Sequence, residues 1–177
     1  MILLAVGLAM DACAVSLTNG LRFPQMRRSW VLADGLCFGL LQGIMPLTGF
    51  LLGGCFAAWI AVFDRWIALF LLGLIGGRML WESRSHPADA AKTMNAETLL
   101  LQGIATSIDA FAVGVSFAAF AGFRILPAVG IIAGVTALLS MSGVLAGKRF
   151  GEKLHGKAEA VGGIILILLG IKIFFGI

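Results

Sequence analysis

The chain has 177 residues and a formal net charge of +4; 60% of its residues are hydrophobic and only 12% are charged. Soluble domains carry about 25% charged residues, and the mean hydropathy of this chain is +1.03. This composition excludes a soluble globular domain and indicates a single compact domain embedded in a membrane.

Six apolar runs follow one another along the chain, each close to the ~20 residues that a helix needs to cross a hydrocarbon core. They cover residues 2–21, 31–53, 65–82, 98–121, 126–147 and 158–177. The sequence therefore predicts an all-α polytopic membrane protein with six transmembrane helices.

Lysine and arginine are distributed unevenly among the connections between these runs. The first, third and fifth connections and their flanks hold Arg22, Arg27, Arg28, Arg78, Arg84, Lys92, Lys148, Arg149, Lys153 and Lys157. The remaining basic residues are Arg65, Arg124 and Lys172. Basic loops stay in the cytoplasm, so we expect these three connections inside and both termini outside. The net charge is then a loop bias that suits anionic lipid, and no nucleic-acid partner is predicted.

One polar stretch, residues 83–97, stands out as a cytoplasmic linker within the apolar chain. It separates residues 1–82 from residues 98–177, and each part contains three of the predicted helices. Because three is odd, the second part enters the membrane from the opposite side. This arrangement is the inverted-topology repeat of many secondary transporters, whose substrate sites lie near the membrane midplane between the repeats.

The two parts also resemble each other in sequence. A shift of 98 residues matches the first helix of each part, and a shift of 94 matches the second and third helices. The matched pairs include Asp11 with Asp109, Thr18 with Ser116, Gly49 with Gly143, Gly76 with Gly170, and Arg78 with Lys172. The chain is therefore predicted to contain an internal repeat.

Asp11 and Asp109 each stand in the middle of an apolar run. A carboxylate at the centre of a membrane helix costs about 2.5–3.5 kcal/mol on insertion, so such a residue indicates a functional site. The alternative is a protonated aspartate that bonds to a neighbouring helix. Two facing carboxylates cannot easily both be ionised, and a divalent cation would displace their protons. The pair thus predicts cation/proton antiport.

Neutral oxygen atoms can complete such a site. Gln42 lies in the middle of the second run, and Thr106 shares the helix face of Asp109, so we predict the metal ligands Asp11, Asp109, Gln42 and Thr106. Further hydroxyls are predicted to line the pathway, namely Thr18, Ser116, Thr136 and Ser140. Oxygen ligands suit Mg²⁺, Ca²⁺ or Mn²⁺.

Pro46 lies four residues after Gln42 and cannot donate a hydrogen bond to the Gln42 carbonyl. We predict a helix break there, which would free that carbonyl oxygen for an ion. The alternative is an ordinary proline kink whose carbonyl is satisfied by a neighbouring helix or a water.

Four long motifs resemble those of one protein family, the MntP family of manganese efflux pumps, within the wider superfamily of lysine exporters. They are M-D-A-C-A-V-S-L-T-N-G at 10–20, F-G-L-L-Q-G-I-M-P-L-T-G-F at 38–50, G-G-R-M-L-W-E at 76–82 and A-T-S-I-D-A-F-A-V-G at 105–114. The resemblance implies a bacterial inner-membrane transporter, not an enzyme, that exports Mn²⁺ as substrate and needs no cofactor. It also implies that Asp11 and Asp109 are essential. Some relatives have an acid where this chain has Gln42, so charge or metal preference can differ here.

Four other readings compete with this one. An exporter of another divalent metal, such as Cd²⁺ or Fe²⁺, fits the same residues. An amino-acid exporter needs a site for the substrate carboxylate, and no arginine lies mid-run. An intramembrane aspartyl protease would show Y-D and G-x-G-D motifs, whereas this chain has no tyrosine and no G-x-G-D. A purely structural membrane protein leaves two equivalent buried acids unexplained.

Overall fold

All regular structure in the described part of the chain is helical. The computed structural model describes residues 1–52, 66, 69–70, 72–77, 80–81, 94–118, 124–151 and 158–175. The helices are α1 (Ile2–Arg22), α2 (Arg28–Leu52), α4 (Ala96–Ala118), α5 (Ile125–Gly151) and α6 (Ala158–Phe175). The helical positions 66, 69–70, 72–77 and 80–81 are called α3.

The predicted all-α class is confirmed for these residues, and the predicted ends agree within a few residues. The largest difference is at the end of α5, which continues to Gly151 rather than 147. The predicted run 65–82 is described only at the α3 positions. The predicted linker 83–97 lies largely outside the described residues, although α4 already begins at Ala96.

Four of the described helices are long and apolar enough to cross a membrane: α1, α2, α4 and Ile125–Phe150 of α5. A shorter apolar helix covers Ala160–Lys172. Large apolar side chains also point away from the protein on every helix, for example Leu3, Leu40, Phe70, Leu100, Leu138 and Leu168. This surface suits lipid hydrocarbon, so the chain is a multi-pass membrane protein.

Close contacts at glycines show that α1 and α5 are parallel. A Cβ atom built on Gly143 would lie 2.6 Å from the carbonyl oxygen of Cys13, and Gly147 faces the carbonyl of Leu17. The contacts advance in the same direction along both helices. Glycine permits this approach because it has no side chain to hold the backbones apart.

Helix α2 packs against α5 in the antiparallel sense and against α4 in the parallel sense. Gly35 lies against Ala137 and Met141, whereas Gly43 lies against Ala133 and Val129. On its other side, α2 meets Gly103 of α4 at Leu41 and Gly114 at the Pro46 carbonyl. Helices α1 and α5 therefore run one way, and α2 and α4 run the other way.

Pro46 lies inside α2, which is helical on both sides of it and continues to Leu52. The backbone of α4 meets the Pro46 carbonyl at Gly114.

At the other end of the molecule, the Lys148 ammonium donates to the Met26 carbonyl oxygen at 2.8 Å. This bond ties the end of α5 to the α1–α2 connection, so these two basic regions lie on the same side of the protein.

Two clusters of buried apolar residues occupy the interior. One includes Ala12, Val15, Phe38, Leu72, Ala105 and Leu166. The other includes Ala5, Leu8, Ala110 and Ile132. Polar side chains are buried among and beside these clusters, and they form the candidate site.

Candidate functional site

Asp11 lies half-buried on α1 beside a lysine from the last helix. The Lys172 ammonium is 3.4 Å from Asp11 Oδ1, and the two side chains are 50% and 15% exposed, respectively. Intramembrane ionisable groups commonly pair in this way. The sequence placed Lys172 near the C-terminal end of the chain and did not predict this partner.

Asp109 lies half-buried on α4, where its Oδ1 atom accepts a hydrogen bond from the backbone N–H of Ala110 at 2.7 Å. Thr106, one turn earlier, is buried, and its hydroxyl donates to the carbonyls of Gln102 at 3.0 Å and Gly103 at 3.2 Å. The hydroxyl proton is therefore used within α4. A lone pair of the Thr106 oxygen remains available as an acceptor or metal ligand.

Gln42 is fully buried on α2, and its two amide atoms have different environments. Nε2 donates to the Leu8 carbonyl of α1 at 3.0 Å. Oε1 is buried and has no hydrogen-bond partner among the described residues. The orientation of the amide is physically determined, because a carbonyl can accept only from the NH₂ side. A buried acceptor without a partner is rare and costly, and a cation would satisfy it.

The four predicted pathway hydroxyls divide into two pairs. Thr18 donates to the Ala14 carbonyl at 3.2 Å, and Ser116 to the Ala112 carbonyl at 3.0 Å. Ser116 is exposed, whereas Thr18 is buried. Thr136 and Ser140 are both buried on α5, and their hydroxyls have no partner among the described residues.

A third acid, Asp34 of α2, is buried in the structure and was not predicted as a site residue. Asp34 is 0% exposed. Its Oδ2 accepts from the Ser16 hydroxyl at 2.6 Å, and its Oδ1 accepts from Asn19 Nδ2 at 2.9 Å. The same Asn19 nitrogen donates to Gln102 Oε1 at 2.9 Å. We call these four residues the Asp34 cluster; it joins α1, α2 and α4.

A signal for Asp34 was present, since it stands inside the second apolar run as Asp11 stands inside the first. The 94-residue shift matches Asp34 with Ala128, so the internal repeat does not mark Asp34 in the way that Asp109 marks Asp11.

No group of three or more His, Cys, Asp or Glu side chains suitable for a metal occurs among the described residues. A metal bound in the described interior would therefore rely partly on amide, hydroxyl or carbonyl oxygens. Such ligands suit hard divalent cations rather than soft ones. Carboxylate, amide and hydroxyl groups buried between the helices of a multi-pass protein are typical of the ion and substrate pathways of membrane transport proteins.

Comparison with known proteins identifies the family. The family model described as "Mntp: Putative manganese efflux pump" matches residues 25–174. A Clostridium botulinum protein named "Putative manganese efflux pump MntP 2" is 44% identical over 98% of this chain and 92% of its own length. A Desulfitobacterium hafniense protein named "Putative manganese efflux pump MntP" is 47% identical over 97% of this chain and 90% of its own length. A Mannheimia succiniciproducens protein of the same name is 48% identical over 96% of this chain and 92% of its own length.

The chain belongs to the MntP family. The predicted family resemblance is thus confirmed, and the family is one of efflux transporters rather than of enzymes. No solved structure matches the chain.

Proposed function

We propose that this protein exports Mn²⁺ from the cytoplasm across the bacterial inner membrane, in exchange for protons, with both termini outside. The observation that carries the export of Mn²⁺ is the 44–48% identity to relatives named as manganese efflux pumps over nearly the whole chain. Mn²⁺ is then the transported substrate and not a resident cofactor.

The proposed architecture is two inverted three-helix repeats, residues 1–82 and 98–177. Matching contacts in the two repeats support it. Gly143 abuts the Cys13 carbonyl between α5 and α1, and Gly49 abuts the Phe111 carbonyl between α2 and α4. The 94-residue shift relates the two glycines, and the 98-residue shift relates the two carbonyls.

The last helix of each repeat supports the same symmetry. A Cβ atom on Gly76 of α3 would lie 3.2 Å from Leu166 Cβ, and one on Gly170 of α6 would lie 3.3 Å from Leu72 Cβ. The 94-residue shift turns each of these contacts into the other. A twofold axis parallel to the membrane would produce this reciprocity.

The proposed Mn²⁺ site lies between Asp11 and Asp109. The Asn19–Gln102 hydrogen bond sets the relative height of the antiparallel helices α1 and α4. Asp11 is eight residues from Asn19, and Asp109 is seven residues from Gln102 in the same spatial direction. At 1.5 Å per residue these separations are about 12 and 10.5 Å. The near-equal heights support one shared site.

Gln42 and Thr106 supply neutral oxygens in this proposal. The strongest support for such a ligand is the buried Gln42 Oε1, which has no partner in the described part of the chain. The path is lined by four hydroxyls, those of Thr18, Ser116, Thr136 and Ser140.

When Mn²⁺ leaves, protons neutralise the carboxylates, so the two ions compete for the same oxygens. The Lys172 ammonium also balances Asp11. Because Lys172 is already paired, it does not supply the free anion site that an amino-acid substrate needs.

The test is transport by purified protein in proteoliposomes under an imposed pH gradient. We expect Mn²⁺ to move against its gradient when protons flow the other way, and Asp11→Asn and Asp109→Asn each to abolish this movement. Glu97→Gln, which changes an exposed acid in the first turn of α4, is the matched control and should transport normally. A transport rate that is independent of the pH gradient would exclude proton antiport. Transport of Cd²⁺, Fe²⁺ or an amino acid in place of Mn²⁺ would exclude the proposed substrate.

A further inference from the structure

The Asp34 cluster contains a carboxylate that is buried without a countercharge. Asp34 is 0% exposed, and its partners are the neutral side chains of Ser16 and Asn19. Among the described residues, no lysine, arginine or histidine lies within ion-pair distance of Asp34. A buried carboxylate is ordinarily protonated, paired or bound to a metal, and a cation that entered the cluster would balance its charge.

The fold itself does not require this cluster. The repeat shifts carry Ser16, Asn19, Asp34 and Gln102 onto Gly114, Phe117, Ala128 and Leu4. Ala128 is 3% exposed, and Gly114 packs on the Pro46 carbonyl, so apolar and backbone contacts suffice at that end. Among the described residues the polar cluster has no counterpart at the repeat-related positions, and this asymmetry indicates a role in function.

The position of the cluster is on the predicted cytoplasmic side of the Asp11–Asp109 pair. Asp34 is six residues from Arg28, where α2 begins, or about 9 Å along the axis. Ser16 is five residues from Asp11, or about 7.5 Å. A cation arriving from the cytoplasm would therefore meet Asp34 before it meets Asp11.

The geometry of Asn19 suggests where such a cation would bind. Its NH₂ group lies between Asp34 Oδ1 and Gln102 Oε1, at 2.9 Å from each. It thus occupies the place between two oxygens that a metal ion could take. Rotation of the Asn19 amide would withdraw both donors and offer Oδ1 as a further ligand. With Ser16 Oγ, the ligands are all oxygen, which suits a hard divalent cation.

A buried hydroxyl leads from the cluster toward the interior. Gly20 of α1 abuts α5 at Val144, and the helices are parallel. One turn earlier, Ser16 therefore lies at the level of Ser140, whose buried hydroxyl has no partner among the described residues. Thr136 lies one turn further into the interior, and its buried hydroxyl also has no partner among the described residues.

We propose that Asp34, Ser16, Asn19 and Gln102 form a second divalent-cation site, which captures Mn²⁺ from the cytoplasm before it reaches the Asp11–Asp109 pair. This inference rests on the proposed function and deepens it. The described residues at the equivalent positions, Leu4, Gly114, Phe117 and Ala128, offer no such site, and this asymmetry suits capture from one side. Binding at this site raises the fraction of transporters that hold Mn²⁺ taken from the cytoplasm, while the proton gradient drives the transport.

The test is Mn²⁺ binding to the purified full chain in detergent, measured by electron paramagnetic resonance. In the Asp11→Asn/Asp109→Asn background we expect one Mn²⁺ per chain to remain bound, and addition of Asp34→Asn to remove it. Loss of even an outer-shell partner lowers metal affinity about 10- to 100-fold, so loss of the only charged ligand should lower it at least as much. Glu97→Gln in the same background should leave binding unchanged.

Two results would overturn the second site. One is the absence of Mn²⁺ from the background variant while wild-type protein binds one ion. The other is bound Mn²⁺ that survives Asp34→Asn. If Asp34→Asn does not fold, Gln102→Ala keeps the charge and removes one neutral ligand, and its affinity should fall about tenfold; an unchanged affinity would also overturn the proposal.

Transport separates this proposal from the proposed function. Asp34→Asn should raise the KM for cytoplasmic Mn²⁺ about tenfold or more, with the maximal export rate unchanged. A lower maximal export rate with an unchanged KM for cytoplasmic Mn²⁺ would indicate a structural role for Asp34 and would overturn the capture site. Failure of wild-type protein to transport Mn²⁺, with binding at Asp34 intact, would overturn the proposed function alone.

Discussion

Replacement of Gln42 by leucine should increase the stability of the protein while reducing its Mn²⁺ transport. Gln42→Leu removes the bond from Nε2 to the Leu8 carbonyl, which is worth about 0.5–1.5 kcal/mol net. It also removes the buried Oε1 acceptor without a partner among the described residues, whose burial costs about 1–3 kcal/mol. The two ranges give a change of about −0.5 to +2.5 kcal/mol in the free energy of unfolding, and their midpoints give a gain of about 1 kcal/mol.

Gln102→Leu is the matched control, because Gln102 is also a buried glutamine but its Oε1 accepts from Asn19 at 2.9 Å. Its loss should cost about 1–3 kcal/mol. Thermal unfolding of both variants in detergent, followed by intrinsic fluorescence, measures the contrast. If Gln42→Leu lowers the midpoint as much as Gln102→Leu does, Gln42 Oε1 is satisfied in the folded protein and is not poised for a cation.

Three further predictions address the packing, the ion pair and the proton coupling. Gly143→Ala places a methyl group 2.6 Å from the Cys13 carbonyl and should be less stable than Gly134→Ala, which meets nothing within 4 Å. The difference should be about 1–3 kcal/mol by chemical denaturation; equal stabilities would contradict the close α1–α5 contact. Lys172→Gln removes the ammonium that competes with Mn²⁺ at Asp11. The KM for Mn²⁺ should fall by up to about fivefold, since half-exposed ion pairs contribute about 0–1 kcal/mol, and a rise in KM would show that Lys172 assists binding. Gln42→Glu adds a carboxylate whose proton must leave when the metal binds, so Mn²⁺ uptake into inverted vesicles should rise more steeply between about pH 6 and 8.5. A pH profile equal to that of the wild type would show that Gln42 is not part of the site.

The sequence by itself determined the class of the protein and most of its helices. Long apolar runs can satisfy their backbone polar groups in lipid only as helices, so α1, α2, α4 and α5 were predictable to within a few residues. The high cost of intramembrane charge likewise marked Asp11 and Asp109 as candidate site residues. These conclusions need only local composition and spacing.

Other features depend on which residues of different helices meet, and only the tertiary structure decided them. Lys172 is 161 positions from Asp11, yet their charged groups are 3.4 Å apart. The two buried glutamines are alike in the sequence, but only Gln102 has its oxygen satisfied by a described partner. Asp34 was not predicted as a site residue, and its repeat equivalent, Ala128, gives no second signal for it. A periodic pattern can predict that a residue is buried, but the partners it finds there are set by packing between helices distant in the chain.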